Sequence, residues 1–503
     1  MRRWPGVYLP ALVVAALAVL PLTVLVRLAF EEPTFDARAW PLLANTVALA
    51  ALTAMGATLI GVPLAVLTAF VRLPWDRAWL VVLAAPLALP SYLGAFAMVA
   101  AFGPGGEIEG LTGWRLPAVS GLPGATLVLV LYTYPFVLLT TRAALLGQDA
   151  NLLHAARTLG MPWLESLRRI ALPRAASSIA AGALLAALYA LSDFGTPAIM
   201  NLDTFTRAIY VEYNAFGLSQ AALLSLQLMA IVGVVLIVES RVASTREQPG
   251  AGATLHPSAR ILPAICASVA PIVGLALLLP VGVFSLWLWR EGASHFDPKI
   301  AWNSARASLL AAGVAAAAGL PVAFAALRGR LGRTLERVTY LGFGIPGIVM
   351  GTALVYVGLG VPVLYQSLAM LVAAYVIRFL PLAVGSIRSS AEVLDAQLVG
   401  ASRLLGAGSF ETFRRVSVPL TSRGIVAGAA LVFLEAMREL PATLLLAPTG
   451  FETLATYLWR VYEAGLFGRA AVPGLLLIVL SALGLAFLFS GEGMSRQSGN
   501  PRG

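Results

Sequence analysis

Charge is scarce in this 503-residue chain, where 12% of residues are Asp, Glu, Lys or Arg. A soluble domain carries about a quarter, so a water-facing globular fold of this length is excluded. Cysteine is almost absent. Cys266 stands alone, which rules out a disulfide framework or a CxxC pair. The histidines, His154, His256 and His295, are scattered, and no HExxH occurs. No metal site or nucleophile cluster can be drawn from that pattern. Lys299, in SHFDPKIAW, is the sole lysine, and no G-x-x-x-x-G-K-[ST] loop exists. This chain is therefore not an ATPase, and it is not read as an enzyme.

Apolar residues fill the space instead. They make up 59% of the chain, and the mean hydropathy is +0.86. Runs long enough to cross a bilayer lie near 8–29, 43–71, 79–103, 123–146, 178–200, 221–240, 260–289, 303–327, 335–360, 362–387, 424–446 and 470–489. Their Gly, Ala and Pro content suits helices packed closely in lipid. The expected fold is an all-α polytopic membrane protein of about twelve spans. The opening MRRWPGVYLPALVVAAL is like a signal peptide but lacks a small-residue cleavage site, so it reads as an uncleaved first span.

The net charge is +10, and the positive residues lie mostly in alternate loops. Arg2, Arg3, Arg72, Arg77, Arg157, Arg168, Arg169, Arg174, Arg241, Arg246 and Arg260 fall on one side. So do Arg328, Arg330, Arg333, Arg337, Arg388, Arg403, Arg414, Arg415 and Arg423. The intervening loops are balanced or acidic, as at Glu31, Glu32, Asp36, Glu107 and Glu109. This is the positive-inside pattern of a plasma (inner) membrane protein with both termini cytoplasmic. It accounts for the arginines without nucleic acid.

One segment occurs twice. HAARTLGMPWLESLRRIALP (154–173) and GASRLLGAGSFETFRRVSVP (400–419) align without a gap, with 406 − 160 = 246 throughout. Gly160 falls on Gly406, Arg168-Arg169 on Arg414-Arg415, and Pro173 on Pro419. The repeat extends outward. Asn45 with Gly61-Val62-Pro63 answers Asn303 with Gly319-Leu320-Pro321, while Pro90 answers Pro346 and Pro135 answers Pro381. The chain thus divides into a first half (1–240, with a loop at 151–174) and a polar linker (241–259). A second half (260–490, with a loop at 397–420) and a polar, disordered tail (491–503) follow. The halves are parallel repeats of about six spans each.

Each repeated loop reads as an elbow. A short helix through Ala155-Ala156 ends at Gly160. A second stretch follows, with Trp163, Leu164 and Leu167 against Arg168 and Arg169, and Pro173 opens the next span. The product is a small apolar ridge with a basic border, suited to a groove on a partner. Topology alone needs charge but not conserved internal spacing.

The elbow resembles the cytoplasmic loop of permeases of ATP-binding-cassette importers, Glu-Ala-Ala, three residues, Gly, nine residues, Ile-x-Leu-Pro. His154, Ala155, Ala156, Gly160, Ile170, Leu172 and Pro173 match that spacing, with His in place of Glu. Gly400, Ala401, Ser402, Gly406, Val416, Val418 and Pro419 match it less closely. The resemblance covers nearly the whole chain as two fused halves of the MetI-like type. It implies that these residues couple to a dimeric ATPase, which binds ATP in place of any cofactor here. It also implies that a soluble extracytoplasmic binding protein selects the cargo.

Ionisable residues at membrane depth are costly and face a cavity or a partner. Asp193, Phe194 and Gly195 lie in LYALSDFGTPAIM, and Glu435, Arg438, Glu439 and Pro441 in FLEAMRELPATLLL. Both segments carry helix breakers and follow their elbows by one span. They are read as lining the translocation path or its gate, or as an ion pair of Arg438 with Asp193 or Glu435. Arg378 reads as a snorkelling or structural residue. SDFGTPAIMNLDTFTRAIY and MRELPATLLLAPTGFETLATYLW resemble the same parts of fused ferric iron permeases, with thiamine and phosphonate permeases close by. No metal site is expected in the spans. A twelve-span secondary carrier would share the two halves but has no use for the elbows, and a membrane enzyme would need converging titratable groups.

Overall fold

A computed structural model describes residues 7–29, 39–242 and 262–497. Among them every regular element is a helix. Arg2, Arg3, Glu31, Glu32, Asp36, Arg246, His256, Arg260, the linker from 243 and the tail from 498 lie outside the described residues. The first half begins α1 (Tyr8–Ala29), α2 (Ala39–Phe70), α3 (Asp76–Ala84), α4 (Ser91–Phe102), α5 (Glu107–Thr112) and α6 (Gly121–Leu146). It continues α7 (Ala150–Thr158), α8 (Trp163–Ser166), α9 (Leu172–Arg174), α10 (Ala176–Ser192), α11 (Gly195–Ile199), α12 (Phe205–Asn214) and α13 (Leu218–Arg241). The second half begins α14 (Leu262–Val273), α15 (Leu279–Glu291), α16 (Pro298–Ala326), α17 (Arg330–Gly344), α18 (Gly347–Gly360) and α19 (Leu368–Glu392). It ends α20 (Ala396–Leu404), α21 (Ser409–Thr412), α22 (Val418–Leu420), α23 (Ser422–Met437), α24 (Pro441–Leu446), α25 (Leu454–Glu463) and α26 (Ala471–Gln497). α26 thus carries helix into the segment expected to be a disordered tail.

Eight helices are long and apolar enough to cross a membrane unaided: α1, α2, α6, α13, the joined α14–α15, α16, α19 and Phe467–Gly484. Four more spans arise if each of four bent helix pairs counts as one, giving up to twelve. Two of the expected straight spans, 79–103 and 335–360, are among the broken ones. Asp76–Ala88 meets Ser91–Thr112 at 89°, and Arg330–Gly344 meets Gly347–Gly360 at 102°. The cause is the repeated proline. A residue before proline is driven out of the α region, and Leu89 (ψ 141°) and Ile345 (ψ 121°) are extended. The runs expected at 178–200 and 424–446 leave the helix after Ser192 and Met437 and resume as the short α11 and α24. The run at 362–387 is helical from Leu368 to Glu392.

The helices form two compact units that cut across the sequence halves. One gathers α1, residues 209–226 and residues 295–465; the other gathers residues 35–208, 227–294 and 466 onward. In the first unit α1 packs on α16, α17 and α18. In the second, α15 packs on α4 and α26. The opening span of each half therefore joins the helices of the other half.

The repeated residues have matching duties inside each unit. Asn45 donates to the Asp203 carbonyl at 2.9 Å, and Thr46 accepts from the Phe205 amide at 3.1 Å. Asn303 donates to the Glu452 carbonyl at 3.0 Å, and Ser304 accepts from the Leu454 amide at 2.7 Å. Each pair holds the start of a long span to the chain entering α12 or α25. Gly61, buried, lets α2 approach α6, since a β-carbon there would lie 2.7 Å from Val137 Cβ and 2.9 Å from the Tyr134 carbonyl oxygen. At Gly319 the nearest atom, Ala383 Cβ, is 3.4 Å away.

These distances separate two equivalent glycines. Gly61→Ala is expected to destabilise the protein by about 1–3 kcal/mol through overpacking. Gly319→Ala is expected to be neutral or stabilising by about 0.5–1 kcal/mol through helix propensity. Thermal unfolding of the two variants in detergent checks the order, and a lower midpoint for Gly319→Ala than for Gly61→Ala would contradict it.

Candidate functional site

Both elbows are built from the same local chemistry. The first limbs, α7 and α20, start at Asp149 and Asp395, whose carboxylates accept from the amides of Asn151 (2.9 Å) and Gln397 (2.8 Å). They stop at Gly160 and Gly406, at φ +84° and +90°. The Met161 amide donates to the Ala156 carbonyl at 3.1 Å and the Gly160 amide to Arg157 at 3.0 Å. The Ala407 amide donates to Ser402 at 3.2 Å and Gly406 to Arg403 at 3.0 Å. This double bond pattern is the Schellman cap, in which glycine takes the left-handed position. No atom lies within 4 Å of a β-carbon at either glycine, so the requirement is conformational and not steric.

The second limbs run α8 to α9 and α21 to α22, through π turns at Leu167–Ala171 and Phe413–Ser417. Pro173 and Pro419 stand just beyond these turns. Proline donates no amide and its ring clashes with the carbonyl four residues back, so the preceding turn widens. Pro173 was expected to open the span after the first elbow, and a span follows the second elbow too. Those spans instead begin after a 68° bend, at Ala176 and Ser422. Glu165–Arg169 (2.9 Å) and Glu411–Arg415 (3.1 Å) bridge one turn of each limb.

Aromatic contacts seat the elbows on the ends of the long spans. Trp163 meets Phe70 edge-on at 5.3 Å, with the Arg157 guanidinium 5.9 Å from the Trp163 ring centre. Phe413 meets Phe324 edge-on at 5.2 Å. Gln148, buried, donates to the Ala171 carbonyl at 2.9 Å. Trp163 and Leu167 therefore face inward and are not part of the expected ridge. The ridge consists of Leu152, Leu159 (88% exposed) and Leu164 (76%), and Leu398, Leu405 (88%) and Phe410 (71%) take the same places in the second copy. Leu152, Ala155, Leu159, Met161, Glu165 and Ile170 border an open concavity of about 480 Å³. Of the motif residues, His154, Ala155, Gly160 and Pro173 are exposed, Ile170 and Leu172 half-buried, and Ala156 buried. In the second copy Gly400, Ala401, Gly406 and Pro419 are exposed, and Ser402, Val416 and Val418 half-buried.

The second candidate region lies where α10 and α23 break. Asp193 and Glu439 are again 246 residues apart. Asp193 Oδ2 accepts from the Thr196 amide at 3.2 Å, and Glu439 Oε1 accepts from the Ala442 amide at 3.2 Å. Each carboxylate caps the start of the short helix that follows, α11 or α24, where amides have no helical partner. Phe194 is buried. Gly195 presses on α4, where a β-carbon would lie 2.4 Å from Tyr92 Cβ. The Asp193 carbonyl accepts from Thr206 Oγ1 at 2.9 Å, and the Glu439 carbonyl from Thr443 Oγ1 at 2.6 Å. Pro441 opens α24.

Arg438 pairs with Glu435, three residues before it on the same helix. Arg378 does not snorkel. Its side chain is 15% exposed and pairs with Glu439, because its position on α19 faces the break between α17 and α18. The sequence reading missed two neighbours of these carboxylates, Ser91 and Gly347. The repeated Pro90 and Pro346, one residue earlier, was the signal that marked them. No group of three or more His, Cys, Asp or Glu able to hold a metal occurs among the described residues. The carboxylates act as caps and ion-pair partners.

The family described as binding-protein-dependent transport system inner membrane component matches residues 61–243 and again 310–490. The chain is 30% identical over 469 residues to the Fe(3+)-transport system permease protein FbpB 2 of Haemophilus influenzae, covering 90% of both chains. A probable molybdenum ABC transporter permease of Haloferax volcanii is 32% identical over 199 residues, 39% of this chain and 73% of the relative. The molybdenum transport system permease protein ModB of Escherichia coli K12 is 28% identical over 180 residues, 33% of this chain and 77% of the relative. Both family matches contain an elbow and a capped break, and together they span most of the chain. The chain belongs to the inner-membrane components of binding-protein-dependent transport systems, with the family's domain present twice.

Proposed function

We propose that this permease carries ferric iron inward, receiving it from a soluble extracytoplasmic binding protein. Its likeness to the ferric relative extends over nine-tenths of both chains, whereas the molybdenum relatives align over 73% and 77% of their own length but 39% and 33% of this chain. In this reading a dimeric ATPase docks on the two elbows and supplies all the ATP chemistry, so the permease needs no cofactor. The arginine distribution supports a cytoplasmic position for the elbows and both termini.

The observation that carries the docking role is the repetition of the exposed ridge. Leu152, Leu159 and Leu164 recur as Leu398, Leu405 and Phe410 at one offset, on limbs with identical caps. Exposed apolar side chains at fixed positions mark a protein interface, and two equivalent ridges suit a partner with two equivalent grooves. ATP-driven closure of that partner would pull the two elbows together. The bends at Ala175 and Thr421 would pass the motion to α10 and α23, and so to the capped breaks that line the path. The binding protein sets cargo selectivity, so the pore need not coordinate the metal tightly.

Leu164→Ala with Phe410→Ala should leave thermal stability unchanged, since both side chains are in solvent, and should weaken ATPase co-purification by about tenfold or more. Gly160→Glu with Gly406→Glu should abolish uptake of labelled ferric iron in cells lacking the wild-type chain, at normal expression. Gly160→Asn with Gly406→Asn should retain most uptake, because Asn tolerates the left-handed conformation. Wild-type uptake by the double Glu variant would sink the docking role. Wild-type uptake of molybdate, thiamine or a phosphonate in place of iron would overturn the cargo and keep the mechanism.

A further inference from the structure

The two capped breaks occupy equivalent places but are secured differently. In the first half, Asp193 is held by the Ser91 hydroxyl and by the backbone amides of Gly195 and Thr196, all neutral groups. In the second half, Glu439 is held by the Arg378 guanidinium and the Ala442 amide. Ser91 and Gly347 are equivalent, each following the repeated proline. Tyr132 and Arg378 are equivalent too, three residues before the repeated Pro135 and Pro381. Tyr132 is turned to other work, donating to the Ala276 carbonyl at 3.0 Å in the π turn between α14 and α15. The first half therefore has no cation at this position.

The residue after the repeated proline suits the arrangement beside it. A β-carbon at Gly347 would lie 2.4 Å from Glu439 Oε1 and 2.5 Å from Arg378 Nη1. A serine there would push the ion pair out of its present position, and the glycine leaves it room. The second break is tied further to α19 by Tyr375, whose hydroxyl meets Thr443 Oγ1 at 2.7 Å. The residue equivalent to Thr443 in the first half is Pro197, which has no side-chain hydrogen bond to give.

We propose that the two breaks are mechanically unequal: Arg378 and Glu439 lock α24 to α19, while α11 is the short helix released from α4 when the path opens. This rests on the reading of these segments as the translocation path and adds which of the two gives way. A buried ion pair resists opening because separating it leaves a charge uncompensated in apolar surroundings. Losing the Ser91 hydroxyl costs less, because one charged group and not two loses a partner, and the Asp193 carboxylate keeps its bonds to the amides of α11. Arg378 is thus a positioning residue that acts through Glu439.

Hydrogen exchange of the full chain in lipid nanodiscs tests the inference without cargo or ATPase, so a failed cargo or docking assignment leaves it readable. The amides of α24 are expected to exchange about tenfold or more slowly than those of α11. Arg378→Gln should raise exchange in α24 to the level of α11, while Leu380–Ile387 on α19 keeps its protection. Arg378→Lys should restore most of the difference. Equal exchange of α11 and α24 in the wild type would overturn the proposal, and that comparison stands even if Arg378→Gln fails to fold. Unchanged exchange of α24 in a folded Arg378→Gln variant would overturn it too.

Discussion

A helix interrupted at membrane depth exposes amides and carbonyls that hydrocarbon cannot hydrate, and this constraint governs each unit of the fold. Such irregular backbone survives only where protein groups satisfy it. The chain meets the requirement twice by placing a carboxylate at the interruption and turning it on the amides of the next short helix. That use also explains how an acidic side chain is retained there at all. The capping bonds stabilise the charge, and the charge stabilises the helix start. The bends in α3–α4 and α17–α18 come from proline geometry, and they bring Ser91 and Gly347 to the same two carboxylates.

Duplication preserved backbone chemistry more strictly than side-chain packing. The Schellman caps, the Asp caps of α7 and α20, the π turns and the Glu–Arg bridges recur at one spacing. The aromatic seats do not. Trp163 against Phe70 and Phe413 against Phe324 arise from different elbow positions and reach the same result. Turn geometry admits few residues, whereas an apolar contact accepts many shapes of similar volume.

Much of this was legible in the sequence. The fold class followed from hydropathy, and the elbows followed from Gly160 and Gly406, since an aligned glycine is a statement about backbone angles. Asp193 and Glu439 stood out because charge is rare in apolar runs. What could not be read was direction. Hydropathy gives the length of an apolar run but not a bend within it, so 79–103 looked straight. Trp163 was placed on the ridge because side-chain type does not tell which face meets the neighbouring span. Arg378 read as snorkelling or structural, with no choice between the two, because its partner lies 61 positions away and pairing at that separation leaves no local pattern. The exchange of opening spans between units had no sequence signal of any kind.

That exchange bears on how the protein is made. α1 leaves the ribosome well before the helices it packs on, α16 to α18, which begin at Pro298. At about 5–20 residues per second, α1 waits on the order of tens of seconds in the bilayer before its partners exist. A segment in that position must be content in lipid alone. α1 has a mean hydropathy of 2.6 over its most apolar stretch, with its one charge, Arg27, in the last turn. Its composition therefore answers to the period of solitude during synthesis as much as to the finished assembly.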